Sequence, residues 1–177
     1  MSDNDRQRFE RIYRDTYGRV LAYALRRTNP ELAKDAVAET FLVAWRRLDR
    51  LPPEPLPWLL AAARRVLANQ RRARMRLESL RARLAAASVA AVTQWEFSDQ
   101  PIADALTALS PLDQEALLLV AWDGLTSREA AAVMGVSAGA FRIRLHRARR
   151  RIQARLDDAP SRSRARLRRT DMAEEAP

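Results

Sequence analysis

The residues from Thr126 to Ile152 contain two short helical patterns joined by a glycine turn, and the second pattern ends in a run of arginines. Thr126, followed three residues later by Glu129, forms a capping box that predicts the start of a helix. Gly135 can adopt the left-handed conformation that ends this helix, and Ser137 can cap the next one. Two short helices joined by such a turn are typical of a DNA-binding helix-turn-helix.

The second of these helices has one apolar side and one basic side. Phe141, Leu145, Ala148 and Ile152 recur at helical spacing, which predicts a buried stripe. On the opposite side, small residues would let the backbone approach base edges, while arginines reach phosphates and guanine acceptors. The alternative is an ordinary amphipathic surface helix with a solvated arginine face. The predicted DNA-contacting residues are Ser137, Gly139, Ala140, Arg142, Ile143, Arg144, Arg147 and Arg150.

Composition limits the classes of protein to which the chain can belong. Its 177 residues suffice for one ordinary domain or two small ones, and no strictly alternating β pattern occurs, so we expect an all-α fold. The 32 basic residues exceed the 22 acidic ones, and all but Lys34 are arginines, which suits phosphate binding. With no cysteine and a single histidine, His146, we expect no cofactor and no metal site.

The amino-terminal residues are polar and charged, unlike a secretory signal. The longest apolar runs, such as Ala116 to Trp122, are far shorter than the roughly 20 residues of a membrane span. We therefore expect no membrane span and a cytoplasmic location.

Punctuation by proline and glycine predicts two small helical domains joined by a linker. Three amphipathic helices, near residues 9–27, 31–48 and from Pro57 to about Arg74, form a first domain at 1–74. The alanine- and arginine-rich stretch at 75–102 predicts a linker with partial helical character, the alternative being another core helix. Helices at Ala103–Leu109 and from Ser110–Pro111 to Trp122 precede the helix-turn-helix in a second domain at 103–156. The mixed charges of 157–177 predict a disordered tail.

Several of these segments resemble the extracytoplasmic-function group of bacterial sigma factors, the specificity subunits of RNA polymerase. The stretch ELAKDAVAETFLVAWRRL, residues 31–48, is similar to the polymerase-binding helix of that family. Pro57-Trp58-Leu59, followed by Ala63-Arg64 and Arg72, resembles the start of its minus-10 promoter helix. LSPLDQEALLL, GLTSREAAAVMGVS and FRIRLHRARRRI match its minus-35 reader in order and spacing. The resemblance covers the chain from about Phe9 to Leu156.

The resemblance implies a two-domain sigma factor that binds core RNA polymerase, recognises minus-35 and minus-10 promoter elements, and helps to open promoter DNA. Such a protein is not an enzyme, and its partners are core RNA polymerase, promoter DNA and, as a candidate, an anti-sigma factor. The residues in the matching positions for polymerase binding are Asp35, Glu39 and Arg46, with Arg47 in support. Those for the minus-10 element are Arg64, Arg65, Asn69, Arg71 and Arg72.

Two alternatives remain open on sequence alone. A free-standing transcriptional regulator could bind an operator as a dimer through the same helix-turn-helix. A helical hydrolase or metal enzyme could use Asp35 and Glu39, but no histidine or second acidic motif on a neighbouring helix pairs with them.

Overall fold

The computed structural model describes residues 3–84 and 100–174, and these residues are helical without any strand. The all-α prediction is therefore confirmed for the described part of the chain. Its elements are α1 (Asp3–Leu25), α2 (Pro30–Arg46), a 3-10 turn (Leu48–Arg50), α3 (Leu56–Leu84), α4 (Gln100–Thr107), α5 (Pro111–Ala121), α6 (Ser127–Met134) and α7 (Ala138–Glu174).

The chain divides into two compact units. Among the described residues, the first comprises 3–84 with 128–136, and the second comprises 100–127 with 137–174. Helices α1, α2 and α3 pack pairwise in the first unit, and α7 packs against α4 and α5 in the second. The domain limits drawn from the sequence, 1–74 and 103–156, stay predictions, and residues 85–99 of the predicted linker lie outside the described residues.

The core of the first unit is built from the predicted apolar sides of its helices. Five apolar residues that recur at helical spacing along α2 and the turn that follows it are buried. The apolar side of α1 is only partly buried, because Val20 and Ala24 are buried whereas Tyr13 is 42% exposed. Aromatic rings continue the packing, with the Phe9 and Trp45 centroids 4.7 Å apart. The buried residues of α2 and the turn are Ala33, Val37, Phe41, Ala44 and Leu48.

Local sequence accounts for the start of α2. The Oδ1 atom of Asn29 accepts a hydrogen bond from the Leu32 amide at 2.9 Å, and Pro30 occupies the first helical position. Proline is favoured there because its missing N–H would have no partner within the helix. The Asn29-Pro30 pair therefore fixes where α2 begins.

Helix α3 is longer than predicted. It begins at Leu56, one residue before Pro57, and continues to Leu84 instead of ending near Arg74. Residues 75–84 contain no glycine or proline and are rich in leucine and arginine, which favour helix. An ion pair between Arg74 and Glu78, with Nε and Oε1 3.0 Å apart, adds a little support across one turn.

In the second unit, α5 begins as predicted. Ser110 caps it, with its Oγ accepting a hydrogen bond from the Asp113 amide at 3.2 Å, and Pro111 is the first helical residue. Gly124, at φ 64°, follows the helix in the left-handed conformation. Helix α4 begins at Gln100, earlier than the predicted Ala103, and ends at Thr107.

Helix α7 continues to Glu174, beyond Asp157, where composition predicts disorder. Arginine and alanine, which are frequent in residues 158–174, favour a helical backbone even where too few apolar residues are present to form a core, whereas Pro160 opposes it. None of the described helices combines the length and apolar character needed to cross a lipid bilayer.

Replacing Asn29 with alanine should lower the free energy of unfolding by about 1 kcal/mol, because the Leu32 amide loses its acceptor. Asn29→Gly, in contrast, should cost only about a few tenths of a kcal/mol. Urea unfolding followed by tryptophan fluorescence measures both changes. A loss for glycine as large as that for alanine would contradict this account of the cap.

Candidate nucleic-acid interface

The turn before α7 has the geometry predicted from its glycine. Gly135 has φ 69°, a conformation in which an L side chain is strained. The amides of Val136 and Gly135 donate to the carbonyl oxygens of Ala131 (3.0 Å) and Ala132 (3.2 Å), which is the Schellman pattern of a helix end. The predicted glycine turn is confirmed.

Ser137 starts α7, also as predicted. Its Oγ accepts a hydrogen bond from the Ala140 amide at 3.2 Å, and its backbone oxygen accepts from the Phe141 amide at 2.9 Å. The side chain is exposed, so the first turn of α7 is open to solvent. A β-carbon added at Gly139 would have no neighbour within 4 Å, so packing among the described residues does not require a glycine there. This end of α7 can be closely approached by an anion or a base edge.

The two sides of α7 are separated as the sequence predicts. Phe141, Leu145 and Ala148 are buried and Ile152 is half-buried. On the opposite side Ile143 is 57% exposed, which is unusual for isoleucine and leaves its methyl groups free for an apolar contact. The predicted DNA-contacting residues that are exposed are Ser137, Gly139, Ala140, Arg142, Ile143, Arg147 and Arg150.

Arg144 differs from these exposed residues. Its side chain is 34% exposed, and its Nη1 lies 3.2 Å from Oδ1 of Asp113 on α5. The second carboxylate oxygen of Asp113 lies 2.7 Å from Nη1 of Arg151. Sequence reasoning missed both Asp113 and Arg151, since pairs separated by 31 and 38 residues leave no local pattern.

The predicted minus-10 residues lie on α3. Arg65, Asn69 and Arg72 recur at spacings of four and three, so they share one side of the helix, and all three are exposed. A hydrogen bond from Arg72 Nη2 to Asn69 Oδ1, 2.5 Å long, links two of them. Arg71 is exposed on a neighbouring side, whereas Arg64 is half-buried. This side of α3 therefore offers several guanidinium groups to a phosphate backbone.

The predicted polymerase-binding residues lie on the outer side of α2. Asp35, Glu39 and Arg46 are exposed, and none forms a salt bridge within the part of the chain that the structure describes. Leu42 lies among them in helical register, opposite the buried stripe, and is 55% exposed. Sequence reasoning missed Leu42, although its phase opposite Val37 and Phe41 was visible in the sequence. Leu42 is thus an apolar side chain on an otherwise charged side of α2.

Comparison with known proteins finds separate matches in the amino-terminal and carboxy-terminal parts of the chain. The chain matches sigma-70 region 2 over residues 12–77 and sigma-70 region 4 over residues 99–152. It is 30% identical over 152 residues to the RNA polymerase sigma factor CarQ of Myxococcus xanthus, an alignment that covers 82% of this chain and 87% of CarQ.

Two solved structures are similar to the chain. One is the sigma factor RpoE in complex with the anti-sigma factor NepR from Bartonella quintana, with a TM-score of 0.66, 27% identity, and coverage of 84% of this chain and 96% of that one. The other is CnrH in complex with the cytosolic domain of CnrY, with a TM-score of 0.56, 26% identity, and coverage of 84% and 87%.

Arg147→Ala should weaken binding of the full chain to duplex DNA at every salt concentration. If Arg147 contacts a phosphate, the slope of log K against log salt should become shallower by about 0.9. Fluorescence anisotropy across a sodium chloride series measures both quantities. Arg14→Ala, which removes an exposed arginine from α1, is the control of equal charge. Unchanged affinity and slope for Arg147→Ala would remove this residue from the interface.

Proposed function

The chain belongs to the sigma-70 family, in its extracytoplasmic-function group, and on this premise we propose how its helices divide the work of promoter recognition. As an alternative sigma factor it recognises promoter elements for RNA polymerase. Our proposal assigns polymerase binding to α2, the minus-10 element to α3, and the minus-35 element to α7. Exposed side chains in helical register on each of these helices support the assignment.

At the minus-35 element, the outer side of α7 lies in the major groove. Gly139 and Ala140 allow close approach, and the exposed Ile143 contacts a thymine methyl group. Arg142 and Arg147 reach guanine acceptors or phosphates, while Arg150 and the amide groups after Ser137 hold the phosphate backbone. In this assignment Arg144 is a structural residue, since its guanidinium is engaged by Asp113.

At the minus-10 element, α3 supplies affinity and the loop before it supplies recognition. Arg65, Arg71 and Arg72 contact phosphates, which gives affinity without reading sequence. A base flipped from the stack loses about a few kcal/mol of stacking and pairing, and capture in a protein pocket offsets this loss. The candidate for this capture is the segment from Leu51 to Pro57, because its loop residues 51–55 directly precede α3. Promoter opening then requires no covalent chemistry, and we infer that the protein is not an enzyme.

Core polymerase binds the outer side of α2. Leu42 supplies the apolar centre of the contact, and Asp35, Glu39 and Arg46 surround it with charges that can be matched by the partner. Because core polymerase acts in the bacterial cytoplasm, we place the protein there as well.

An anti-sigma factor is the further partner that we propose. The support is that the similar sigma factor RpoE was solved with the anti-sigma factor NepR, and CnrH with the cytosolic domain of CnrY. Such a partner would hold this chain away from polymerase or promoter until a signal releases it.

Run-off transcription tests the proposed function as a whole. Purified core polymerase on fragments of the source genome should initiate at new start sites only when this protein is added. A regulator acting as a free-standing dimer would give a different result: no association with core polymerase, and a symmetric footprint on DNA without it. That second result would overturn the proposal.

Leu42→Ala should weaken binding to core polymerase by roughly tenfold, since a truncated hot-spot residue commonly costs more than about 1 kcal/mol. Leu25→Ala is the matched control, because Leu25 is also exposed but lies on α1. Both variants should keep the wild-type urea midpoint. Equal binding by the two variants in a fluorescence titration with core polymerase would exclude Leu42 from the contact.

A further inference from the structure

Asp113 holds two arginines of the DNA-reading helix at once. It lies in the first turn of α5 and is buried, with a side chain only 7% exposed. Each carboxylate oxygen contacts one guanidinium, at 3.2 Å for Arg144 and 2.7 Å for Arg151. The amino-terminal end of α5 favours the same negative charge, since helix amides point toward it. Asp113 is therefore an organised acceptor for two charges on α7.

The two arginines lie on one flank of α7, seven residues or about two turns apart. This flank separates the buried stripe from the exposed side that contains Arg147 and Arg150. Arg151 remains 61% exposed, so its long side chain can reach solvent on the DNA-facing side if its carboxylate partner is removed. Asp113 therefore engages two guanidinium groups that are chemically able to bind phosphate.

The arginines of α7 fall into two classes. Between Ala138 and Ile152 the sequence contains six: Arg142, Arg144, Arg147, Arg149, Arg150 and Arg151. Asp113 engages two of them, and the other four are exposed without an acidic partner among the residues that the structure describes.

We propose that Asp113 is a specificity-determining residue that withholds Arg144 and Arg151 from DNA phosphates. This inference rests on the proposed function of α7 as the minus-35 reader. Phosphate contacts strengthen binding to every sequence, whereas base contacts distinguish the promoter from other DNA. On random DNA the protein can adopt any orientation that lets a released arginine contact a phosphate. On the promoter the base contacts already fix the orientation of α7, so release adds less affinity there.

Asp113 also acts as a positioning residue through the same two contacts. Two ion pairs placed two turns apart restrict rotation of α7 about its own axis relative to α5. Loss of the carboxylate should therefore loosen the alignment of Arg142 and Ile143 with base edges, while the total number of arginines available to phosphates rises.

The test variant is Asp113→Asn, which keeps the shape of the side chain and removes its charge. On a random-sequence duplex, the full-length variant should bind on the order of tenfold more tightly near 0.1 M salt, and its salt slope should steepen by about 0.9 to 1.8, for one or two added phosphate contacts. The ratio of promoter to random-duplex affinity should fall. Asp157→Asn, an exposed acid on α7, makes the same change in net charge and should leave slope and ratio close to wild type.

Weaker binding of Asp113→Asn to both duplexes, with an unchanged slope, would indicate a purely structural role and overturn the proposal. Asp113→Glu, which retains the charge, should restore most of the wild-type slope. Should Asp113→Asn fail to fold, the paired variants Arg144→Gln/Arg151→Gln and Arg147→Gln/Arg150→Gln decide the question. The first pair should leave the salt slope unchanged, and the second should make it shallower by about 1.8. Equal reductions by both pairs would show that Arg144 and Arg151 already contact phosphates.

Elution from heparin-agarose separates this proposal from the proposed function, because it measures accessible positive charge without requiring promoter recognition. Asp113→Asn should elute at higher salt than Asp157→Asn. Co-elution of the two variants would overturn the release of arginines even if the wild type directs run-off transcription with core polymerase. If Asp113→Asn elutes later but the wild type directs no initiation, the release of Arg144 and Arg151 is supported and the proposed function is rejected.

Discussion

Burial of one side of α7 fixes the orientation of the surface that we propose to face DNA. Phe141, Leu145 and Ala148 are buried in the second unit, where α7 packs against α4 and α5. The helical repeat sets the position of all remaining side chains relative to this stripe. Burial of the stripe therefore determines that Ile143 and Arg147 face outward. The turn at Gly135 and the cap at Ser137 set where the helix begins, and so which residues belong to its exposed first turn.

The arginines of α7 have two distinct roles within this arrangement. Exposed guanidinium groups, such as those of Arg147 and Arg150, are available to a polyanion and contribute little to the stability of the fold. The contacts of Arg144 and Arg151 with buried Asp113 belong to the fold, because an unpaired carboxylate in that position would lose solvation without compensation. The six arginines between Ala138 and Ile152 therefore overstate the positive charge that this part of α7 can offer to DNA.

Local features of this chain were predictable, and contacts between distant segments were not. The cap at Ser137, the left-handed Gly135 and the buried stripe of α7 each follow from residues within a few positions of one another, so the sequence contains the whole cause. The ion pairs of Asp113 depend on the packing of α5 against α7, which no spacing rule specifies. Helix α3 extends past Arg74 because a composition that suits a linker also suits a helix. The exposure of Leu42 could have been derived from its phase, but a single outward leucine has no meaning without the surface around it.

A protein that must select a few DNA sites among many requires each of its DNA-reading helices to bind DNA only weakly by itself. Two readers carried by one polymerase act in sequence, and the second contact forms at the high effective concentration set by the first, which raises the joint affinity by roughly 10² to 10⁴. The protein remains selective for promoters only if neither DNA-reading helix binds phosphates strongly by itself, because a genome contains about 10⁶ to 10⁹ competing sites. A basic helix such as α7 meets this requirement more easily when part of its charge is neutralised inside the fold. A buried acid that engages two arginines achieves this while keeping both side chains in place to support the helix.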